Sequence, residues 1–238
     1  LGGLAGLTAV PLLGSLSGCQ QNPARAADDS TQSERVPDMS TQKLTERVSV
    51  ISGAPGNVIV LSDGSGGVVL VDSGSVNLAP AVKKSLGGAR VHALFNTHYH
   101  ADQTGGNVLF ARSGAEIHAH TITKQWLAAD YYVPADDRWV KAPPQEAVPK
   151  VTFRTRGEMA FGAETIEFGY LLEAHTRGDA YVYFRDSNVL AVGDVFSPLR
   201  DPALDWYAGG WLGGRVDAMD DLLELVDDQT RIVPAYGQ

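Results

Sequence analysis

The stretch NTHYHADQTGGN, residues 96–107, carries the strongest structural and chemical signal in this sequence. It follows an apolar run, Val91–Phe95, that predicts a strand, and it contains two adjacent glycines. His98, His100 and Asp102 alternate, so at the end of a strand or in a tight loop their side chains can point to one side. Neutral imidazoles are preferred ligands of zinc. The stretch therefore predicts a metal site rather than a pair of surface histidines.

Short apolar runs on both sides of this stretch predict a layered α/β fold. Leu78–Leu86 and Val216–Val226 have helical spacing, and the first is followed by two glycines that suit a helix end. The predicted strands are Asn57–Leu61, Val68–Val71, Val91–Phe95, Ala115–Ala119, Val151–Phe153, Thr165–Phe168, Tyr170–Glu173, Ala180–Phe184, Val189–Val192 and Ile232–Val233. We expect two sheets packed together and covered by helices.

Composition excludes several classes of protein. The 238 residues are 44% hydrophobic and 20% charged, which suits a globular domain with a sizeable core. The net charge of −9 argues against nucleic acid as a partner, because phosphate binding relies on clustered Lys and Arg. Cys19 is the one cysteine. A disulfide within the chain and a cysteine-rich zinc site are therefore excluded.

The first residues have the character of an export signal. Residues 1–19 are small and apolar, interrupted by Pro11, and end in Leu-Ser-Gly-Cys, which resembles a bacterial lipobox. We expect export to the periplasm, with membrane anchoring through a lipidated Cys19. Cleavage at Ala24-Arg25-Ala26 is the alternative. Because the usual basic region is missing, we expect that the sequence begins inside the signal.

The rest of the chain divides into two parts. Residues 20–44 are polar and rich in Pro, Ser and Asp, which predicts a flexible tether. Residues 45–238 form the predicted domain. We expect a closing helix after Val233, and since none can be read there, we expect that the domain continues beyond Gln238.

The segment THYHADQ, residues 97–103, resembles the THxHxDH motif of the metallo-β-lactamase fold superfamily. The resemblance covers roughly Val48–Gly237 and implies a four-layer αβ/βα sandwich with its metal site at one edge of the sheets. By this resemblance, His98 and His100 match two ligands of the first metal. His175, in EAHTRGD at residues 173–179, matches the third.

Two aspartates also match positions of that family. Asp194 matches the aspartate that bridges two metals in some members. Asp72 matches an aspartate that supports the histidine loop, although a turn-forming aspartate after a strand is an equal alternative without the family context.

Two family positions are changed in this chain. The last histidine of the motif is Gln103, and the histidine of a usual Pro-Gly-His-Gly near the end is Tyr236. Both lost histidines would bind the second metal. Asp102, Asp194, Gln103 and Tyr236 offer oxygen atoms alone at that place, which suit harder ions such as Mg, Mn or Fe. The sequence therefore favours one zinc ion, with any second ion weak or harder.

The resemblance implies hydrolysis of a small-molecule ester, thioester, lactone or lactam by a metal-activated water. Asp102 would orient or deprotonate that water, and Tyr236 would donate a hydrogen bond to the developing oxyanion. Two alternatives stay open. One is a non-hydrolytic exported binding or accessory lipoprotein on the same fold, and the other is an iron enzyme like the sulfur dioxygenases. The oligomeric state is left open.

Other ring-bearing residues have less specific interpretations. His92, His118 and His120 lie on or after predicted strands, which favours structural roles. The aromatic residues of two loop stretches either line a pocket above the metal or pack the loops onto the domain: Trp126, Tyr131, Tyr132 and Trp139 in the first, and Trp206, Tyr207 and Trp211 in the second.

Overall fold

Two β-sheets lie at the centre of the structure, a computed structural model that describes residues 39–134, 137–199 and 203–237. In spatial order the first sheet consists of β1 (Ser40–Lys43), β2 (Val48–Ser52), β3 (Val58–Ser62), β4 (Gly67–Val71), β5 (Arg90–Asn96), β6 (Glu116–His120) and β9 (Val151–Phe153). The second consists of β10 (Arg156–Phe161), β11 (Glu164–Tyr170), β12 (Ala180–Phe184), β13 (Val189–Gly193) and β14 (Arg231–Pro234). A separate hairpin pairs β7 (Tyr131–Val133) with β8 (Arg138–Val140).

Helices cover the outer faces of both sheets. They are α1 (Ala79–Ser85), α2 (Ala101–Thr104), α3 (Asn107–Arg112), α4 (Thr121–Leu127) and α5 (Leu212–Leu223). Val82 of α1 and Phe110 of α3 pack on the first sheet, and Ala218 and Leu222 of α5 pack on the second. The order of layers is helix, sheet, sheet, helix, so the prediction of two packed sheets covered by helices is confirmed.

The main core lies between the two sheets. Val71 and Phe95 of the first sheet pack with Ile166 and Phe184 of the second, and all four are buried. The parallel strands β4, β5 and β6 are covered on both faces. β4 is buried throughout, and its sequence is accordingly a continuous apolar run, whereas β5 has exposed residues near its start and β6 contains two buried histidines.

The sheet topology brings several loops to one edge. β4 is parallel to β5, and β13 is parallel to β14, so the segments after these strands leave from the same ends. β12 is antiparallel to β13, so its first residue lies near the end of β13. The backbone N–H of Ala180 donates to the oxygen of Thr97 at 2.8 Å and joins the two sheets at this edge.

The predicted tether over residues 20–44 is wrong at its end. Ser40–Lys43 forms β1, which pairs with β2 in antiparallel register. All four residues are exposed at the edge of the sheet. An edge strand with no buried face has no apolar alternation, and its polar composition therefore resembles that of a loop.

Two other predicted elements differ from the structure. Tyr170–Glu173 is not a strand, because β11 ends at Tyr170 and the chain turns into a loop with Glu173 at a φ of 48°. The last helix runs from Leu212 to Leu223, with Val216 and Leu223 exposed by 52% and 67%. Its first buried residues are Gly214, Arg215 and Ala218, so the apolar spacing predicted a start that lies too late in the sequence. The helices α2 to α4 were not predicted from the sequence.

The predicted export signal, Cys19 and most of the predicted tether lie outside the described residues. Within the part of the chain that the structure describes, no helix has the length and apolar character needed to cross a membrane.

Two histidines of β6 are buried in the fold. His118 packs against Phe95 and Phe168, with ring centroids 4.7 Å and 6.5 Å away. His120 stacks on Tyr170 at 4.0 Å. Burial lowers the pKa of both histidines below the ordinary value of 6.5, and Glu116 opposes the shift at His118. Both imidazoles are therefore neutral in the folded chain near neutral pH.

We expect His118 to contribute to acid lability. The unfolded chain takes up a proton here at about pH 6.5 and the folded chain only at lower pH, so the free energy of unfolding falls as the pH drops through about 6.5. In His118→Leu the fall between about pH 7.5 and about pH 5 should be smaller than in the wild type, as measured by urea unfolding.

The matched control is His92→Gln, because His92 is exposed on the neighbouring strand β5. An equal acid-induced fall in wild type and His118→Leu would contradict the interpretation.

Candidate metal centre

Four side chains with metal-binding atoms converge at the edge where the loops meet. His98 and His100 follow β5, His175 lies between β11 and β12, and Asp194 follows β13. One donor atom of each lies within 4.8 Å of the other three. The four come from three separate segments, so the group exists because the fold joins them.

The donor atoms face one another. Nδ1 of His100 lies 3.2 Å from Nε2 of His175. Oδ2 of Asp194 lies 3.6 Å from Nε2 of His98 and 3.7 Å from Nε2 of His175. Three nitrogens and one carboxylate oxygen form a ligand set that suits zinc.

Two of the three imidazoles are neutral near neutral pH, as a cation requires, whereas at His100 burial is outweighed by the hydrogen bond to Asp205, which raises the pKa. Burial lowers the pKa of His98 well below its ordinary value, and burial with the nearby His100 lowers the pKa of His175 to about 4. Nε2 of His98 is buried and has no hydrogen-bond partner. A buried polar atom in this state costs free energy until it gains a partner. The donor group therefore fits a metal ion.

Hydrogen bonds on the outer side fix the tautomers of two imidazoles. Nδ1 of His175 donates to the backbone oxygen of Ala203 at 2.5 Å. Nε2 of His100 donates to Oδ2 of Asp205 at 2.9 Å. The proton of each ring is thus on the nitrogen away from the donor group, and the lone pair of the other nitrogen faces inward.

Asp72 supports the histidine loop through Thr97. Its carboxylate accepts hydrogen bonds from the backbone nitrogen of Thr97 at 2.9 Å and from Oγ1 of Thr97 at 2.8 Å. Because this hydroxyl donates to Asp72, it accepts from Nδ1 of His98, 3.1 Å away. Burial raises the pKa of Asp72 to about 8, and the bonds from Thr97 oppose the shift. A cation among the histidines would lower that pKa again.

Asp205 was missed by the sequence interpretation. Oδ2 of Asp205 accepts from the hydroxyl of Tyr99 as well as from His100. Burial raises the pKa of Asp205, but the bonds from His100 and Tyr99 outweigh it and lower the pKa to about 2. Asp205 stands in a Gly- and Trp-rich stretch with no local pattern, so the sequence held no signal for it.

Asp179 was also missed, although it closes the EAHTRGD segment. Its carboxylate accepts from the backbone nitrogens of His175 at 2.6 Å and Thr176 at 2.8 Å, and from the Thr176 hydroxyl at 2.6 Å. Burial raises the pKa of Asp179 to about 7 against these bonds. An aspartate four residues after the predicted ligand, in a turn, was the available signal.

Asp102 lies in a cavity beside the four converging residues but is not one of them. The cavity has a volume of about 200 Å³ and is lined by His100, Asp102, His175, Asp194, Ser197, Ala203 and Tyr236. Oδ2 of Asp102 accepts hydrogen bonds from the hydroxyl of Tyr236 and from Nε2 of Gln103 at 3.1 Å. Gln103 is fully buried, and a Cβ at Gly56 would come within 2.3 Å of its Nε2. Glycine at position 56 thus leaves room for the amide that contacts Asp102.

The aromatic residues divide into a packed group and an exposed group. Trp126 stacks on Tyr99 at 4.7 Å, and Tyr131 contacts both rings. Exposed rings are those of Tyr132, Trp139, Trp206, Tyr207 and Trp211. Among the described residues no tryptophan lines the 200 Å³ cavity, so the packing interpretation holds for Trp126 and Tyr131.

Replacing His100 by alanine should weaken zinc binding by more than about 100-fold, because it removes both an inward lone pair and the partner of Asp205. Competition with a chromophoric chelator measures this affinity. His92→Ala, which removes an exposed imidazole before the site, is the control. Wild-type zinc affinity in His100→Ala would show that the four residues do not form the metal site.

Known proteins resemble this chain in sequence and in fold. The chain is 25% identical over 189 residues to a metallo-beta-lactamase type 2 of Bacillus sp. (strain 170), covering 77% of this chain and 67% of the relative. The fold is similar to that of DIM-1 metallo-beta-lactamase, with a TM-score of 0.68, 18% identity, and 85% and 91% of the two chains covered. It is also similar to a metallo-beta-lactamase from Pontibacter korlensis, with a TM-score of 0.65, 22% identity, and 84% and 92% covered. These likenesses confirm the predicted layered sandwich. Since the sequence model of the metallo-beta-lactamase superfamily matches residues 51–236, the chain belongs to that superfamily.

Proposed function

We propose that this protein is a zinc-dependent hydrolase that acts on the carbonyl group of an ester, thioester, lactone or lactam. The observation that carries the proposal is the convergence of His98, His100, His175 and Asp194. The last three of these line the same cavity as Asp102. A zinc ion held there would lower the pKa of a water molecule and polarise a carbonyl group.

We propose one zinc ion per chain. At the first site the three imidazole nitrogens could hold one zinc ion and leave a position for water, with the carboxylate of Asp194 beside them. At the neighbouring position Asp102 already accepts two hydrogen bonds, from Tyr236 and Gln103. Neither of these side chains offers the imidazole that a second zinc ion would prefer.

Two residues of the cavity have roles in the proposed reaction. The carboxylate of Asp102 can orient a water molecule in the cavity and take up its proton. The hydroxyl of Tyr236 would transfer its hydrogen bond from Asp102 to the carbonyl oxygen of the substrate and stabilise the negative charge that develops there. The proton held by Asp102 then passes to the leaving group.

The names of the relatives make β-lactams the first substrates to test. The curated relative and the similar structures are metallo-beta-lactamases. Members of one fold differ in their substrates, because specificity is decided by the site and its loops. Lactones, thioesters and simple esters therefore belong in the same panel.

Zinc content and hydrolysis measured on the same preparation test the proposal. We expect one zinc ion per chain and turnover of at least one substrate among a chromogenic β-lactam, an acyl lactone, a thioester and a nitrophenyl ester. Turnover should disappear with a chelator and return with zinc.

Absence of both metal and turnover would overturn the proposal and favour a binding or accessory protein. Iron together with substrate-dependent oxygen uptake would overturn it in favour of an oxygenase.

Removing the phenol in Tyr236→Phe should lower kcat by about 100-fold, because an oxyanion donor is lost. Asp102→Asn should lower kcat by between about 100-fold and about 10,000-fold, because the base is lost. Tyr132→Phe removes an exposed phenol and is the matched control. A wild-type kcat in Tyr236→Phe would remove that residue from the mechanism.

We also propose that the protein is exported and anchored through Cys19. The support is the apolar run that ends in Leu-Ser-Gly-Cys at residues 16–19. Mass spectrometry of the mature N-terminus should find a lipid-modified Cys19. An unmodified N-terminus after Ala26 would overturn anchoring and support simple export.

A further inference from the structure

We propose that Tyr99 and Asp205 form a positioning pair that orients His100 and sets the affinity of the metal centre. The inference rests on the metal site of the proposed function but is independent of the reaction and the substrate. It concerns the hydrogen bonds from the Tyr99 hydroxyl and from Nε2 of His100, which both end on Oδ2 of Asp205.

The three imidazoles differ in the charge of their outer partner. His175 donates to the neutral backbone oxygen of Ala203, and His98 faces the hydroxyl of Thr97. His100 alone of the three donates directly to a carboxylate. A carboxylate behind a ligating imidazole fixes its ring and makes its inner nitrogen a stronger donor to the metal. His100 is thus the ligand whose donor strength depends most on its support.

The backbone around Asp205 is fixed against the loop that carries His175. The backbone nitrogen of Asp205 donates to the oxygen of His175 at 2.9 Å, and that of Gly210 donates to the oxygen of Asp205 at 2.8 Å. A Cβ at Gly210 would lie 2.0 Å from the His175 oxygen. Oδ1 of Asp205 accepts from the backbone nitrogen of Ala208 at 3.0 Å and caps the short turn. The carboxylate therefore has little freedom to move away from His100.

Tyr99 is held as firmly from the other side. It is buried, stacks on Trp126 at an interplanar angle of 18°, and meets Tyr131 edge to face. Because Tyr99 lies next to His100 in sequence, its hydroxyl and the imidazole reach the same carboxylate oxygen from one short segment. Tyr99 thereby fixes Asp205 relative to the histidine loop, and it acts on the metal site through Asp205.

A double-mutant cycle on the full chain tests this arrangement, with zinc affinity measured by chelator competition. We expect Asp205→Asn to weaken zinc binding by about 10-fold to about 100-fold. Tyr99→Phe should weaken it by several-fold in the wild type. In the Asp205→Asn background the same change should have an effect below about 2-fold, because the carboxylate through which Tyr99 acts is gone.

The asparagine variant separates support of His100 from support of the backbone. Asparagine can still cap the turn at Ala208, so a purely structural role predicts wild-type zinc affinity in Asp205→Asn. Asp217→Asn, an exposed change on α5, and Tyr132→Phe are the matched controls. Circular dichroism and the Tm of the metal-free proteins verify that the variants are folded.

The tautomer of His100 provides a readout that does not depend on metal. In long-range proton–nitrogen NMR spectra of the metal-free protein at alkaline pH, the wild type should show the Nε2–H form of His100, and Asp205→Asn should show a mixture of tautomers.

Zinc affinity within about 2-fold of wild type in Asp205→Asn, or equal effects of Tyr99→Phe in both backgrounds, would overturn the inference. If the wild type binds no zinc, the proposed function fails, and an unchanged tautomer in Asp205→Asn would still overturn the positioning pair separately.

Discussion

The hydrogen bonds between Asp72 and Thr97 are the constraint on which the metal centre depends. Both oxygens of the Asp72 carboxylate are engaged by Thr97, which precedes the first histidine of the site. The oxygen of Thr97 accepts from Ala180 in the other sheet. A Cβ at Gly193 would lie 2.7 Å from Oγ1 of Thr97, so glycine at this position, with a φ of 57°, allows the sheets to approach. The buried Thr97 thus fixes the histidine loop relative to both sheets.

Local patterns were sufficient for most of the strands and for the histidines, and insufficient for the residues that hold the histidines in place. His98 and His100 stand in one short segment after an apolar run, and period and composition identify such a segment. Asp205 lies 105 residues from His100 in sequence, and the contact depends on the packing of two loops. β1 was missed because it is exposed throughout. The start of α5 was missed because its first buried residues are small ones and Arg215.

The two changed family positions have a common physical result. Gln103 and Tyr236 both direct a hydrogen-bond donor at the same oxygen of Asp102. The negative charge of the Asp102 carboxylate is therefore stabilised by two neutral hydrogen-bond donors. The family resemblance implies a second cation at this place. Gly56 leaves space for this arrangement, because a larger residue there would collide with the Gln103 amide. Gln103 and Tyr236 thus form a connected polar group around the carboxylate of Asp102.

A bound metal ion would also stabilise the folded chain, because Nε2 of His98 is buried without a hydrogen-bond partner. A buried nitrogen that has lost its water and gained no partner is a penalty on the folded state, and an ion that binds only the folded chain removes it. The population of locally opened molecules then depends on how much metal the surroundings supply. Because proteases cleave opened molecules, the abundance of this protein would follow metal supply even under conditions in which no substrate is present.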